Sequence, residues 1–460
     1  MNYSAFMSFK QHYAFLPYYL IFALLLGSCN KNNSGSNALD ESTETTLPEN
    51  PVNPSSDASP NILFVIADDL GIDAMPGYDL GEEKPLLPTL IRLTNEGIRF
   101  TQAWTYPVCT PTRASILTGK YGYRTGVLGV EQNNNLNPNE RIIQRAFEGQ
   151  YSTSIIGKWH VSNENVYLRP EEMGVGYYAG LFSGGVNNYS NWQLTTNGST
   201  VRQNNYITTT LTDLAIDWIQ AQDQPWFCWL AYNAPHTPFH LPPQELHSQG
   251  SLPEDEESIS QNPLPYYFAM IESLDTELGR LISTLSSETL ENTLIVFIGD
   301  NGTPNQVAQS PYTSSKAKGS LYEGGIHVPL VVSGYGVSRR GEEENALVTA
   351  VDLYNTFLDA AGLALEENLD SQSFWPLIRE GVSNDRRFNY SEIIGDRPNK
   401  SGYTLSDGRY KFLSLNNGNE LLFDLQNDLS ETTNLLEGQL TTSEETRLAA
   451  LREEALRIRQ

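Results

Sequence analysis

An α/β architecture is predicted: a large, mostly parallel mixed sheet sandwiched by helices, with a small antiparallel α+β subdomain at the C-terminus. Three features predict it. The runs from Ile62 to Ile66 and from Leu294 to Ile298 are wholly apolar, the pattern of strands buried on both faces. Amphipathic helical patterns alternate with these and further apolar runs, as in a sheet covered on both sides. Beyond about residue 385 that alternation stops, and two short apolar segments flank Asn416-Asn417-Gly418-Asn419, a hairpin signal.

In chain order, Lys10 precedes an apolar run from Tyr13 to Leu26. That run is short of the roughly 20 residues that span a bilayer. It ends in Leu26-Gly27-Ser28-Cys29, which resembles a bacterial lipobox. Residues 1–28 are therefore expected to be a lipoprotein signal peptide, with a start at Met7 also open, and Cys29 to carry lipid. The bland alternative is an ordinary signal peptide with a chance cysteine. Residues 29–60 are Asn, Ser, Thr, Glu and Pro with few large apolar side chains, a composition that predicts a disordered tether. The main domain is expected over 61–385 and the C-terminal subdomain over 386–460.

Within the main domain, helices are predicted from Leu87 to Asn95, Leu211 to Gln220, Tyr266 to Leu285 and Asp352 to Ala361. Strands are predicted at Ser154 to Ile156, Trp226 to Tyr232 and Val328 to Val332. Residues 161–205 and 240–263 read as loops. The hairpin joins Tyr410 to Leu415 with Glu420 to Leu425, and a charged helix begins near Ser443.

The 460 residues exceed the usual size of one core, about 250–300 residues, which agrees with two units. A net charge of −26 excludes a nucleic-acid binder, which needs a basic footprint, and unassisted docking on an anionic membrane. An anionic substrate would need its own local cluster of cations. Three cysteines are too few for a disulfide framework, and each sits in a different context. Cys228, between Phe227 and Trp229, reads as core packing.

The chemistry concentrates at strand ends. The first apolar strand runs into Asp68-Asp69 and the later one into Asp300-Asn301-Gly302. Ligands of open α/β sheets bind at the carboxyl ends of strands, so the two pairs are expected to converge. Three carboxylates and an amide crowd together only around a cation, and all-oxygen donors suit Ca²⁺ or Mg²⁺ better than zinc. The alternative is that each Asp caps a turn.

Cys109-Thr110-Pro111-Thr112-Arg113 precedes Leu117-Thr118-Gly119. Pro111 suits a first helical turn and Gly119 a stop, so Cys109 is expected just ahead of a helix N-terminus, an anion site that Arg113 reinforces. Gly157-Lys158-Trp159-His160 and Pro235-His236-Thr237-Pro238 each follow a strand. Lys158 and His160 share a face if their strand continues through them. A Gly-rich loop carries Lys316, Lys318 and Tyr322-Glu323-Gly324-Gly325. Singly, each has a bland reading: a lone Lys is usually solvated, and a lone His is often a satisfied core residue. His240 and His247 read as solvent-facing loop residues near the mouth, with substrate contact as the alternative.

In this order, these segments together resemble the formylglycine-dependent sulfatases of the alkaline phosphatase superfamily, from Asn61 to about Leu436. Cys109-X-Pro111-X-Arg113 with Leu117-Thr118-Gly119 is the most specific element, and resembles the sequence that a maturation enzyme reads. Asp407-Gly408-Arg409-Tyr410-Lys411 and Leu422-Phe423-Asp424-Leu425 resemble the family's terminal subdomain. Thr112, His327, Val161-Ser162 and Leu429-Ser430 depart from common family residues, none of them at a metal or nucleophile position.

The resemblance implies an alkaline phosphatase-like fold and hydrolysis of sulfate esters, most plausibly of sulfated glycans. It implies that Cys109 becomes 3-oxoalanine (formylglycine), whose hydrate attacks sulfur. Asp68, Asp69, Cys109, Asp300 and Asn301 would hold Ca²⁺ in preference to Mg²⁺. His236 or Lys318 would protonate the leaving alcohol, His160 would take the proton that releases sulfate, and Lys158, Lys318 and Arg113 would offset the sulfate's charge. The implied partners are a sulfated small molecule or glycan, the maturation enzyme, and a bacterial membrane reached only through Cys29, at the periplasmic or cell-surface side. The competing readings are a phosphodiesterase or phosphonate monoester hydrolase, and an inactive lipid-tethered binding protein.

Overall fold

The computed structural model describes residues 59–131, 134–162 and 168–460. The expected signal peptide, Cys29 and all of the tether before Ser59 lie outside them. Sixteen strands occur among the described residues: β1 (Asn61–Ala67), β2 (Gly97–Phe100), β3 (Ala103–Trp104), β4 (Ser152–Lys158), β5 (Tyr177–Leu181), β6 (Trp192–Thr196), β7 (Ser199–Gln203), β8 (Trp226–Ala231), β9 (Thr293–Gly299), β10 (Leu330–Gly334), β11 (Glu342–Glu344), β12 (Val348–Thr349), β13 (Asn389–Ile393), β14 (Gly402–Ser406), β15 (Tyr410–Leu415) and β16 (Glu420–Asp424).

Ten of them form one sheet in the order β11-β2-β10-β9-β1-β8-β4-β5-β6-β7. The centre is parallel: β1 pairs with β8 and β9, and β4 with β8 and β5. Antiparallel β10 and the β6–β7 ribbon make the sheet mixed. All seven residues of β1 are buried, and successive residues face opposite ways. Ile62, Phe64 and Ile66 join one core with helices Cys109–Thr118 and Leu353–Ala360. Leu63, Val65 and Ala67 join the other with helices Ile207–Gln220 and Leu264–Thr284. The absence of polar alternation in the sequence is thus the direct consequence of helices on both faces.

The C-terminal sheet has the order β13-β14-β15-β16 and is antiparallel throughout. Its expected hairpin forms, with Gly418 in the left-handed region at the turn (φ +89°). One face packs Leu405, Phe412 and Leu422 against Leu448 and Leu451 of helix Thr442–Ile458. The other sets Leu413 and Phe423 against Val108 and Leu321 of the main domain.

Several elements differ from expectation. The strand expected from Val328 is β10, beginning at Leu330, because Pro329 has no N–H to give to a ladder. The short strand at Ser154 extends to Lys158. The helix expected from Asp352 is a 3-10 turn, Ala350–Asp352, and then helix Leu353–Ala360. Part of the stretch read as loop, 161–205, is β5, β6 and β7. Its signal was present: Asn197-Gly198 joins β6 to β7, with both residues at positive φ (44° and 81°), as a two-residue hairpin turn demands. The strand Glu342–Glu344 was illegible because Glu has low strand propensity, although charge suits a sheet edge.

Phe64 is fully buried, with its ring 4.9 Å from those of both Trp229 and Phe357. Phe64→Ala is expected to cost about 3–5 kcal/mol through lost transfer energy and an unfilled cavity. A lower urea midpoint at unchanged slope would show it.

Candidate active site

Parallel pairing of β1 with β8 and β9 brings their carboxyl ends to one edge. Asp68 and Asp69 leave β1, Asp300 and Asn301 leave β9, and all four are buried. The Asp69 backbone N–H donates to Asp300 Oδ1 at 3.0 Å, and Asn301 Nδ2 donates to Asp69 Oδ1 at 2.8 Å. The convergence expected from the two motifs is therefore direct contact. Asp69 holds φ +72°, a left-handed conformation costly for a residue with a Cβ and one that clusters at functional sites.

Cys109 is the first residue of helix Cys109–Thr118, with Val108 as the N-cap. It had been expected just ahead of the helix. Pro111 fits inside the first turn because the N–H groups there have no helical acceptor in any case. Gly119 ends the helix at φ +66°. Ligand atoms of Cys109, Asp68 and Asp300 all lie within 4.8 Å of one another, and a second such group comprises Asp68, Asp69 and His236.

Cations enclose the carboxylates. Lys158 Nζ is 2.6 Å from Asp68 Oδ2, and Lys318 Nζ is 2.6 Å from Asp69 Oδ2. His236 Nε2 lies 3.8 Å from Asp69 Oδ2. Burial alone would raise the Asp69 carboxyl, but Lys318, His236 and Lys158 outweigh it and hold it well below the carboxylate range. Asp300 goes the other way: burial first, then the Asp68 charge, push it up to about 7 against the pull of Arg113.

Arg113 donates through Nε (3.1 Å) and a terminal nitrogen (2.7 Å) to Asp300 Oδ2, and through its other terminal nitrogen to the Lys158 carbonyl at 2.9 Å. It thus reaches the site by fixing Asp300 and the end of β4.

The β4 strand ends at Lys158, so His160 does not share its strand face as the alternation rule proposed. His160 turns at φ +50° and comes within 3.2 Å of Cys109 Sγ through Nδ1. Burial, followed by the nearby Lys158 and Arg113 charges, holds its pKa well below the usual histidine value. The neutral ring is a proton acceptor.

Two acceptors in this cluster, Asp68 Oδ1 and Asn301 Oδ1, are buried without a hydrogen-bond partner among the described residues. Neither can donate. With the neighbouring carboxylates they form an oxygen-rich donor set that fits a hard cation such as Ca²⁺ or Mg²⁺.

Sequence reasoning missed several residues. Thr110 Oγ1 lies 3.3 Å from His160 Nδ1, and its place beside Cys109 was the available signal. A Cβ on Gly184 would meet the His160 ring at 2.4 Å, and one on Gly185 would meet His236 at 3.3 Å, so this backbone closes over both histidines. Only the Gly-Gly pair marks it in sequence. His247, read as solvent-facing, is buried, with Nδ1 accepting from Gln249 N. His240 packs on Tyr189, ring centroids 4.3 Å apart, and burial lowers its pKa to about 4. Cys228 is fully buried in the core, as expected.

Residues 60–363 match the family model described as Sulfatase. The chain belongs to the sulfatase family. Residues 316–457 match a further family model, N-sulphoglucosamine sulphohydrolase, C-terminal. The chain is similar to the uncharacterized sulfatase YdeN of Escherichia coli strain K12, at 29% identity over 75% of this chain and 70% of that protein. It is similar to human arylsulfatase K at 26% identity over 82% and 79%. Among solved structures, Ps i-CgsB in complex with k-i-k-neocarrahexaose superposes with a TM-score of 0.74 at 26% identity, covering 87% of this chain and 94% of the other. This sulfatase accordingly has the alkaline phosphatase-like fold and is a sulfuric ester hydrolase.

In chelator-treated sulfatase, Arg113→Met is expected to cost up to about 3–5 kcal/mol, the full figure only at a pH where Asp300 stays ionised, because its carboxyl, already pushed up to about 7, loses the cation that favours its charged form. The check is urea unfolding of the variant beside the double substitution with Asp300→Asn, which should recover part of the loss.

Proposed function

We propose that this sulfatase hydrolyses sulfate esters of carbohydrates, using Cys109 matured to formylglycine and a Ca²⁺ ion held by Asp68, Asp69, Asp300 and Asn301. One observation carries the reading: ligand atoms of Cys109, Asp68 and Asp300 within 4.8 Å of one another at a helix N-terminus, inside a ring of cationic side chains. Burial pushes the Cys109 thiol up, a poor state for thiolate attack, so the position suits a modified nucleophile better than a thiol. The carbohydrate class is supported by the neocarrahexaose bound to Ps i-CgsB.

When bound, Ca²⁺ supplies Lewis-acid charge at a sulfate oxygen and lowers the pKa of an adjoining hydroxyl. The hydrated formylglycine offers two hydroxyls, one to attack sulfur and one to release sulfate. The remaining work falls to this chain's side chains. Lys158 and Lys318 bring positive charge to the anionic ester. His160, kept neutral by burial and 3.2 Å from Cys109 Sγ, takes the proton from residue 109. The leaving oxygen takes its proton from His236 or Lys318, which both lie against Asp69 Oδ2. The exported chain is held at a bacterial membrane, periplasmic or cell-surface, by lipid on Cys29.

Two measurements test this. Produced with a formylglycine-generating enzyme, the Cys109 peptide should weigh about 18 Da less than its unmodified form, or show the hydrate. Cys109→Ala should lower sulfate-ester turnover by roughly 10³-fold or more. Unmodified Cys109 in an active preparation would overturn the nucleophile, and faster turnover of a matched phosphonate ester would overturn the substrate class. Separately, Ca²⁺ added to chelator-treated protein should raise Tm more than equal Mg²⁺ does, and Asp68→Asn should abolish the rise.

A further inference from the structure

Two motifs singled out in the sequence have no part in the chemistry above: Tyr322-Glu323-Gly324-Gly325 and the C-terminal Arg409-Tyr410-Lys411. The fold joins them. Lys411 Nζ, fully buried, lies 2.9 Å from Glu323 Oε1 and 2.8 Å from Glu431 Oε1. It also sits over the Trp104 ring, 5.0 Å from the centroid. Glu323 binds His327 Nδ1 at 2.9 Å through its other oxygen. Glu431 Oε2 accepts the Glu323 backbone N–H at 2.6 Å, and Lys316 Nζ donates to the carbonyls of Ser430 (2.8 Å) and Glu431 (2.7 Å). The C-terminal subdomain thereby grips both ends of the loop that carries Lys318.

That loop is tied to the site on its other side. Lys318 N–H donates to Thr303 O at 3.1 Å, Gly319 N–H to Pro107 O at 2.8 Å, and Gly302 N–H to Gly325 O at 3.0 Å. The contacted segments are thus the one that leads through Pro107 and Val108 into Cys109 and the one in which Gly302 follows Asn301. Apolar packing of Leu321 and Val108 against Leu413 and Phe423 runs parallel to the polar grip.

We propose that Glu431, with Lys411, is a positioning residue for Lys318: it holds the 316–325 loop so that the ammonium meets Asp69 and the substrate. This rests on the role given to Lys318 above. A buried ion cluster is weak evidence for stability as such, and a registry role is the better-attested use of one. Two carboxylates share one ammonium here, and Glu431 is the one whose charge is disfavoured: burial, followed by Glu323, pushes its carboxyl up to about 7 against the pull of Lys411. Neutral substitution at 431 leaves Lys411 paired with Glu323, and the variant is expected to fold.

The test combines a double-mutant cycle with hydrogen exchange on the full chain. Glu431→Ala should lower kcat by about 10- to 100-fold, the upper figure being the scale of a catalytic group displaced by about 1 Å. Glu431→Gln, which keeps an acceptor for the Glu323 N–H, should restore most of it. In the Lys318→Ala background, Glu431→Ala should cost almost nothing further. Amide exchange in residues 312–326 should rise in Glu431→Ala and stay low in Glu431→Gln. Additive losses, or unchanged exchange in that loop, would overturn the proposal. Full activity of Lys318→Ala alone would refute the role of Lys318 instead, and the exchange result would still decide whether Glu431 holds the loop.

Discussion

The organising constraint in this molecule is the repulsion among carboxylates collected at the edge of a parallel sheet. Pairing β1 with β9 fixes Asp68, Asp69 and Asp300 within contact of one another, in a place almost closed to solvent. Two unit charges about 4.8 Å apart repel by about 3–4 kcal/mol even at an effective dielectric of 20. Several such pairs rival the whole stability of a domain, about 5–15 kcal/mol. The fold therefore has to bring cations with it. Lys158 arrives at the end of β4, Arg113 from the helix that starts with Cys109, and Lys318 from the loop after β9. Each comes from a different element, so the sheet order, the helix after Cys109 and the subdomain that seats the loop are all conditions for the carboxylates to coexist.

This division explains what the sequence made legible. Motifs at strand ends are read easily because a wholly apolar strand announces its own end, as in β1 and β9, and parallel topology then places Asp68-Asp69 beside Asp300-Asn301. The helix at Cys109 was legible from Pro111 and Gly119. What could not be read was how side chains share partners across long separations. Nothing local in Arg113 indicates that its guanidinium is bound to Asp300 and to the Lys158 carbonyl. His160 was placed by strand alternation, yet the strand stops at Lys158 and a positive φ turns the ring toward Cys109 instead. The β5–β7 region was passed over because its residues are polar, although Asn197-Gly198 carried the hairpin signal. Glu323 and Lys411 lie 88 residues apart, and only the fold makes them one ion pair.

The C-terminal subdomain is the least obvious part of this arrangement. Its sheet uses one face for its own helix and the other for the segment leading into Cys109 and the loop bearing Lys318. A subdomain needing only its own stability could bury both faces within itself. Here the face opposite the helix is completed by main-domain residues, so the two parts share a core beside the segment leading into Cys109 and the loop bearing Lys318. Loops that carry catalytic groups are usually the least stable part of a fold, and a rigid neighbour is one way to keep them in place.

Screening outside and burial inside reconcile a chain of net charge −26 with an anionic substrate. Exposed charges act over about one Debye length, about 8 Å at physiological ionic strength, so the distant acidic surface is largely screened at the site. Inside, Lys158 and Arg113 are buried and Lys318 is partly buried, and their fields are attenuated far less. These cations are held in place by carboxylates, which makes the site nearly balanced rather than strongly positive. A sulfate ester then gains from cations already fixed in position, without the cost of gathering them. That is the form of preorganisation that favours a transition state over the ground state when charge shifts from sulfur-bound oxygen to the leaving group.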